Sequence, residues 1–322
     1  MKKKEMMNDA SMASGPVAIR MTNDYLFRAL LQRNNKVLKG LICSLLHLSP
    51  KQVKKVKITN PIELGKALNE KTFVLDVKVL LNNDTIINLE MQVVNEHDWP
   101  ERSLSYLCRS FDNLNQGEPY RNVKPVVQIG LLDFTLFPES PEFFSTYRFL
   151  NVKNYTMYSD KMGLSVVDLT QIDLATEEDK HYGIDHWAAL FKSTTWEEIK
   201  MLAQKNDYIK EASDTIYQLS QEEKIRQQCE AREDYYRRQR SIECYMQEQK
   251  ATMKKQAAIL KRQERKMQEQ SSTIQEQSST IQEQSSTIQE QSSTIQQQNS
   301  TIYEQNVTIA ALRAEIEKLK KA

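Results

Sequence analysis

Glycine and proline are scarce in this chain, seven and eight among 322 residues, and beyond Gly183 neither occurs at all. A stretch without helix breakers or left-handed turn residues is free to continue as helix for as long as its composition allows. Cysteine is equally sparse. Cys43, Cys108, Cys229 and Cys244 form no C-x-x-C pair, which excludes a disulfide scaffold and a cysteine zinc site and leaves reduced structural thiols. Of the four histidines, His181 and His186 stand five apart, which is not metal spacing on a helix. No apolar run approaches the roughly 18 residues of a membrane-spanning helix. The start, "MKKKEMMNDASMASG", has the charge of a secretory signal but no apolar core behind it. The expectation is a soluble cytoplasmic protein. A formal net charge of only +1 provides no global field for polyanions.

Charge is present locally. "KQVKKVK" gathers Lys51, Lys54, Lys55 and Lys57, and the stretch from Arg232 to Lys266 holds eleven Lys or Arg against five Asp or Glu. Such runs are solvated faces unless a neighbouring site requires anions. From Thr22 to about Ala175 the chain holds most of the proline and the strand-like runs. Thr22 and Asn23 are cap-type residues before an apolar helix face of Phe27, Leu30 and Leu31, and a second helix runs from Val37 to Leu48. Strands are expected at Val53 to Thr59, Phe73 to Leu81, Thr85 to Val94, and within "VKPVVQIGLLDF", "FFSTYRFL" and "LSVVDLTQI". A helix from Pro100 to Gly117 separates the third strand from the fourth. This order predicts an α/β fold, a mixed sheet flanked by helices. The expected parts are a disordered 1–20, an α/β domain over 21–178, a helical region over 184–245 and a heptad coil over 246–322.

The coil is visible as "SSTIQEQSSTIQEQSSTIQEQSSTIQQQNSTIYEQ". Isoleucines fall at 274, 281, 288, 295, 302, 309 and 316, and the same frame runs back through Met267, Leu260, Met253 and Met246. With these as position a, position d is Gln from 249 to 305 and becomes Leu only at Leu312 and Leu319. An unbroken seven-residue period specifies a left-handed supercoil, and Ile at a with Leu at d favours a parallel dimer. Gln at d makes the stalk weak along most of its length, leaving the terminal Ile/Leu clamp to hold it. The competing reading is a solvated single helix or a Gln/Ser tract.

One hairpin carries chemistry. In "KTFVLDVKVLLNNDTIINLEMQ" two alternating strands flank the turn "NND". Side chains alternate across a strand, so Phe73, Leu75, Val77 and Val79 share an apolar face with Ile87, Leu89, Met91 and Val93. Val74, Asp76, Lys78, Asn88, Glu90 and Gln92 share the other. If Leu81 pairs with Thr85, Asp76 lies opposite Glu90 with Cβ atoms about 5 Å apart. Carboxylates that close repel, and one takes up a proton unless a cation intervenes; oxygen ligands suit Mg²⁺ or Mn²⁺. The bland reading is a partly exposed face on which Lys78 neutralises one acid.

"MTNDYLFRALL", "LDVKV", "INLEMQ" and "RSLSYLCRSFDNLNQGEPYRNVKPVVQIGLLD" together resemble the Rpn family of recombination-promoting nucleases and transposases, within the PD-(D/E)XK nuclease superfamily. The resemblance covers about Thr22 to Ile172 and implies a restriction-endonuclease-like core of α-β-β-β-α-β order and a metal-dependent DNA endonuclease acting in recombination or transposition. On this resemblance Asp76 and Glu90 are the metal-binding acids, assisted by the Met91 carbonyl, and Gln92 is the final polar position. Lysine usually stands there; glutamine carries no charge but can orient a water, and Lys78 on the same face is a candidate for the missing cation. Arg102 and Tyr106 match an Arg-x-x-x-Tyr helix that contacts phosphate or supports the ligands. Asp24 matches an early acidic position, although a helix N-terminus favours acids in any case. The implied partners are double-stranded DNA and further copies of the chain. The missing lysine and the long coil also fit a catalytically lapsed DNA-binding or scaffolding protein. A bZIP-like reader is disfavoured, because the basic stretch lies inside the heptad frame rather than ahead of it.

Overall fold

The computed structural model describes residues 10–62, 64 and 76–320. The chain divides into two units, Met1–Glu243 and Cys244–Ala322. In the first, helices α1 (Asp24–Arg33) and α2 (Asn35–Leu45) precede strands β1 (Val56–Ile58), β2 (Val77–Leu81) and β3 (Thr85–Gln92). Helix α3 (Trp99–Phe111) leads to β4 (Val126–Leu132), β5 (Phe144–Tyr147) and β6 (Met162–Asp168). Helices α4 (Glu177–Tyr182), α5 (Ile184–Lys192), α6 (Trp196–Ala203) and α7 (Asp207–Gln221) follow, and α8 runs Glu223–Leu319.

The strands form one mixed sheet in the order β1-β2-β3-β4-β6-β5. β1, β2 and β3 pair antiparallel, β3, β4 and β6 run parallel, and β5 returns antiparallel to β6. Parallel pairing of β3 with β4 requires a crossover, and α3 supplies it. The expected register holds: Leu81 pairs with Thr85 and Val77 with Leu89. Asn82 and Asn83 make the turn at φ 51° and 62°, a left-handed conformation that Asn tolerates. Phe73, Val74 and Leu75, expected in the second strand, lie outside the described residues.

Alternation along the strands divides the sheet into two unlike faces. Val77, Val79, Ile87, Leu89, Met91, Ile129 and Leu131 join residues of α1, α2, α5 and α7 in the main hydrophobic core. On the other face α3 lies over β4 and β6, with Trp99, Leu132 and Val166 as a smaller cluster. Gly130 permits this approach, since a Cβ there would stand 2.1 Å from Trp99 Cζ2.

Several expected boundaries differ. α3 ends at Phe111 rather than Gly117, because Asn113 leaves the helix and brackets Lys124, accepting from its N at 3.0 Å and donating to its carbonyl. On α3 the buried stripe is Trp99, Ser103 and Leu107, while Leu104 is exposed. Within 1–20, expected to be disordered, residues from Ala10 onward are ordered. Ala10, Ala13 and Ile19 enter the core, and Pro16 bridges Thr195. The helices after Gly183 share that core through Trp187, Phe191, Ile199, Ile209, Ile216 and Ile225.

In the second unit the helix is polar on every side but one. Ile274, Ile281 and Ile288 along the heptad stripe are each 65% exposed, while Ser and Thr hydroxyls between them bond back to carbonyls four residues earlier, as Thr273 to Glu269 and Thr280 to Glu276, both 3.0 Å. All four cysteines are free, and no described helix is long and apolar enough to cross a membrane.

Candidate active site

Glu90 sits in β3 beside Gly130 of β4, pointing to the α3 side of the sheet. Asp76 immediately precedes β2, and the Val77 to Leu89 pairing brings it level with Glu90. Both acids are buried, at 4% and 5% exposure. They line one cleft of about 100 Å³ together with Asp24, Met91, Gln92, Glu96, Arg102, Arg232, Tyr235 and Tyr236. Asp76 Oδ1 and Glu90 Oε2 are buried there without a hydrogen-bond partner. An unsatisfied buried carboxylate oxygen is costly, and two in one cleft mark a place for a cation or a proton.

Asp76 is fixed through its backbone. Arg28 of α1, itself buried, donates Nη1 to the Asp76 carbonyl and Nη2 to the Asn60 carbonyl. Asn60 donates Nδ2 to the same Asp76 carbonyl at 3.0 Å, and its Oδ1 accepts from Lys78 N at 2.8 Å. These bonds leave the Asp76 carboxylate free to face the cleft. Glu90 is held through its side chain, with Arg102 Nη2 donating to Oε1 at 2.7 Å. Arg102 is placed in turn by Glu96 at 3.3 Å and by the ring of Tyr106, 5.6 Å from its guanidinium carbon.

Burial is the main force on the carboxyls. It pushes Glu90 up to about 7 against the opposing charge of Arg102, with Asp76 and Asp24 adding to the rise. It also raises Asp76, opposed chiefly by Lys78 and Arg28. Neither acid is comfortable as an anion in this cleft without more positive charge.

The sequence-derived set is only partly gathered. Asp76, Glu90, Met91, Gln92, Arg102 and Asp24 line the cleft, whereas Lys78 and Tyr106 line a second cleft that also includes Asp76. Both carboxylate oxygens of Asp24 are engaged by a guanidinium: Arg232 Nε donates to Oδ1 at 2.9 Å and Nη2 to Oδ2. Burial opposes the Arg232 charge, and bonding to Asp24 outweighs it, so the guanidinium pKa is raised. Gln92 donates Nε2 to the Val94 carbonyl at 3.1 Å, which leaves Oε1 as its acceptor.

Sequence reasoning missed the wall that α8 supplies. Arg232, counted in the basic run, is buried, with its guanidinium over the rings of Tyr235 and Tyr236 at 4.7 and 5.1 Å. Asn23 donates Nδ2 to the Cys229 carbonyl at 3.0 Å, tying this part of α8 to the start of α1. The visible signal was the adjacent Tyr235-Tyr236 pair inside a run of charged residues.

Among the described residues no group of three or more His, Cys, Asp or Glu could hold a metal ion. Two carboxylates still fit Mg²⁺ or Mn²⁺, because Mg²⁺ ordinarily takes one or two carboxylates and completes its shell with water and substrate phosphate. The two unpartnered oxygens are the atoms such an ion would use.

A family model described as PD-(D/E)XK nuclease family transposase matches residues 21–245. No curated protein and no solved structure matches the chain.

Proposed function

The chain belongs to the PD-(D/E)XK nuclease family transposases, and from that premise we propose that it hydrolyses DNA phosphodiester bonds as a metal-dependent endonuclease in DNA recombination or transposition. The observation that supports this best is the opposed pair of buried carboxylates, each with one unsatisfied oxygen in a shared cleft. Asp76 and Glu90 would hold Mg²⁺ or Mn²⁺, with the Met91 carbonyl beside them. A bound divalent cation would polarise the scissile phosphate and generate a nucleophile from water.

The chain's own groups have distinct tasks. Asp76 and Glu90 present the acceptor oxygens. Arg102, held against Glu90 and Glu96, is a cation lining the cleft in a protein with glutamine at the usual lysine position, and its fork can donate to phosphate oxygens. Gln92 can orient a water through Oε1. Asp24 acts at one remove, pinning Arg232 and hence the α8 wall.

We also assign to the heptad stripe a parallel homodimer in the cytoplasm, bringing two such sites to one duplex. Purified protein with Mg²⁺ should nick supercoiled plasmid, and Asp76→Asn or Glu90→Gln should lower the rate at least a hundredfold. Nicking that persists unchanged in both variants would mean the acids are not the site.

A further inference from the structure

Beside the carboxylate cleft is a larger one, about 300 Å³, lined by Asn60, Asp76, Lys78, Tyr106, Arg109 and Ser110. Among the described residues Asp76 is the one the two clefts share and the one acid of the second. Lys78 and Arg109 are its cations, and among the described residues neither makes an ion pair. Arg109 is exposed and Lys78 half-buried, so both ammonium and guanidinium remain available to a ligand. The Ser110 hydroxyl is buried here without a hydrogen-bond partner.

The same stretch of α3 serves both clefts. Arg102, Tyr106 and Arg109 lie four and then three residues apart, so they share one side of the helix. Arg102 reaches Glu90, and Arg109 stands about 10 Å further along the axis at 1.5 Å per residue. That separation is about three times the roughly 3.4 Å rise per nucleotide of one strand, so a phosphate bound at Arg109 lies a few nucleotides from the one at Glu90. The second cleft is firm on its sheet side, where Arg28 and Asn60 fix the backbone of Asp76 and Lys78.

We propose that this second cleft is a subsite for an uncleaved phosphodiester of the same strand, held by Lys78 and Arg109 while the phosphate to be cut, a few nucleotides away, lies at Asp76 and Glu90. The proposal rests on the nuclease reading, and it gives Lys78 a binding task in place of the missing catalytic lysine. It fixes which way the strand leaves the cut: past Asp76, along α3 towards Arg109.

The test is metal-free binding of the full chain to a fluorescent duplex across a salt series, so that no turnover intervenes. Removing one phosphate-binding cation should make the slope of log K against log salt shallower by about 0.9 and weaken binding roughly tenfold at 0.1 M salt. Arg109→Gln and Lys78→Gln should each do this, the double variant should do it twice, and Arg109→Lys should restore slope and affinity. If the wild type binds and both Gln variants keep its slope and affinity, the subsite is wrong and the nuclease reading stands. Failure of Arg109→Lys to recover would likewise sink the subsite, since charge would not be what mattered. Absence of binding by the wild type both without metal and with Ca²⁺ would remove the nuclease reading itself.

Discussion

Glu90 is where the proposed chemistry and stability oppose each other. Its folded carboxyl titrates at about 7 against an ordinary 4.5, so the folded state holds a proton that the unfolded state has released across that interval. The metal-free protein is therefore most stable below pH 4.5 on account of this group and loses that contribution as pH rises through 7. The loss is on the order of 3 kcal/mol at about 1.4 kcal/mol per unit. Glu90→Gln should remove this slope and raise the midpoint of urea unfolding at pH 8. An unfolding midpoint that falls instead would show that the Arg102 pair outweighs burial. Asp76 and Glu90 were legible in the sequence because strand alternation and a three-residue turn suffice to oppose them. Their supports were not. Arg28 reaches Asp76 from 48 residues away and Arg232 reaches Asp24 from 208, and no local pattern encodes pairings at such separation. Reading Arg232 as a surface charge failed for that reason: its partner lies in another element.

Among the elements, α3 has the most constrained position, because it must cover β4 and β6 while delivering Arg102 to Glu90. Trp99 sets its height over the sheet, and Gly130 makes room for the indole. Gly130→Ala should place a methyl inside that contact and force α3 outward, with an overpacking cost of roughly 1–3 kcal/mol. Because Glu90 is the strand neighbour of Gly130, the shift should also lengthen the 2.7 Å Arg102 to Glu90 contact and depress nicking more than stability. Equal activity in folded wild type and Gly130→Ala would show that Arg102 is not needed at its present distance. The strands and their register were readable from period-two patterning, and α1 from the cap residue Asn23, which accepts from Tyr25 N and Leu26 N. The end of α3 was not, because Gly117 looks like the natural terminator whereas the side chain of Asn113 closes the helix earlier by binding Lys124.

At the scale of the whole molecule, the proposed pairing through the heptad stripe would decide whether one site or two meet a duplex. Most repeats contribute one isoleucine per chain and a glutamine layer, so neither side-chain burial nor charge fixes the partner strongly. The near-identical repeats also permit pairing shifted by whole heptads, a slip that only distinct side chains can forbid. At position d the distinct ones are Leu312 and Leu319, both exposed in the single chain. Each stands to bury roughly 2 kcal/mol of apolar surface in a dimer. Replacing both by Gln makes the d positions uniform, which should weaken association and release the register together. Sedimentation velocity should then show a dimeric wild type and a variant that dissociates at the same micromolar loading, with the unit that carries the cleft still folded by near-ultraviolet circular dichroism. Wild type should convert supercoiled plasmid to linear product through paired cuts, while the variant should accumulate nicked circles. A variant that remains dimeric would move the clamp to the isoleucines; one that is monomeric yet linearises plasmid as readily would separate two-strand cleavage from assembly through the stalk.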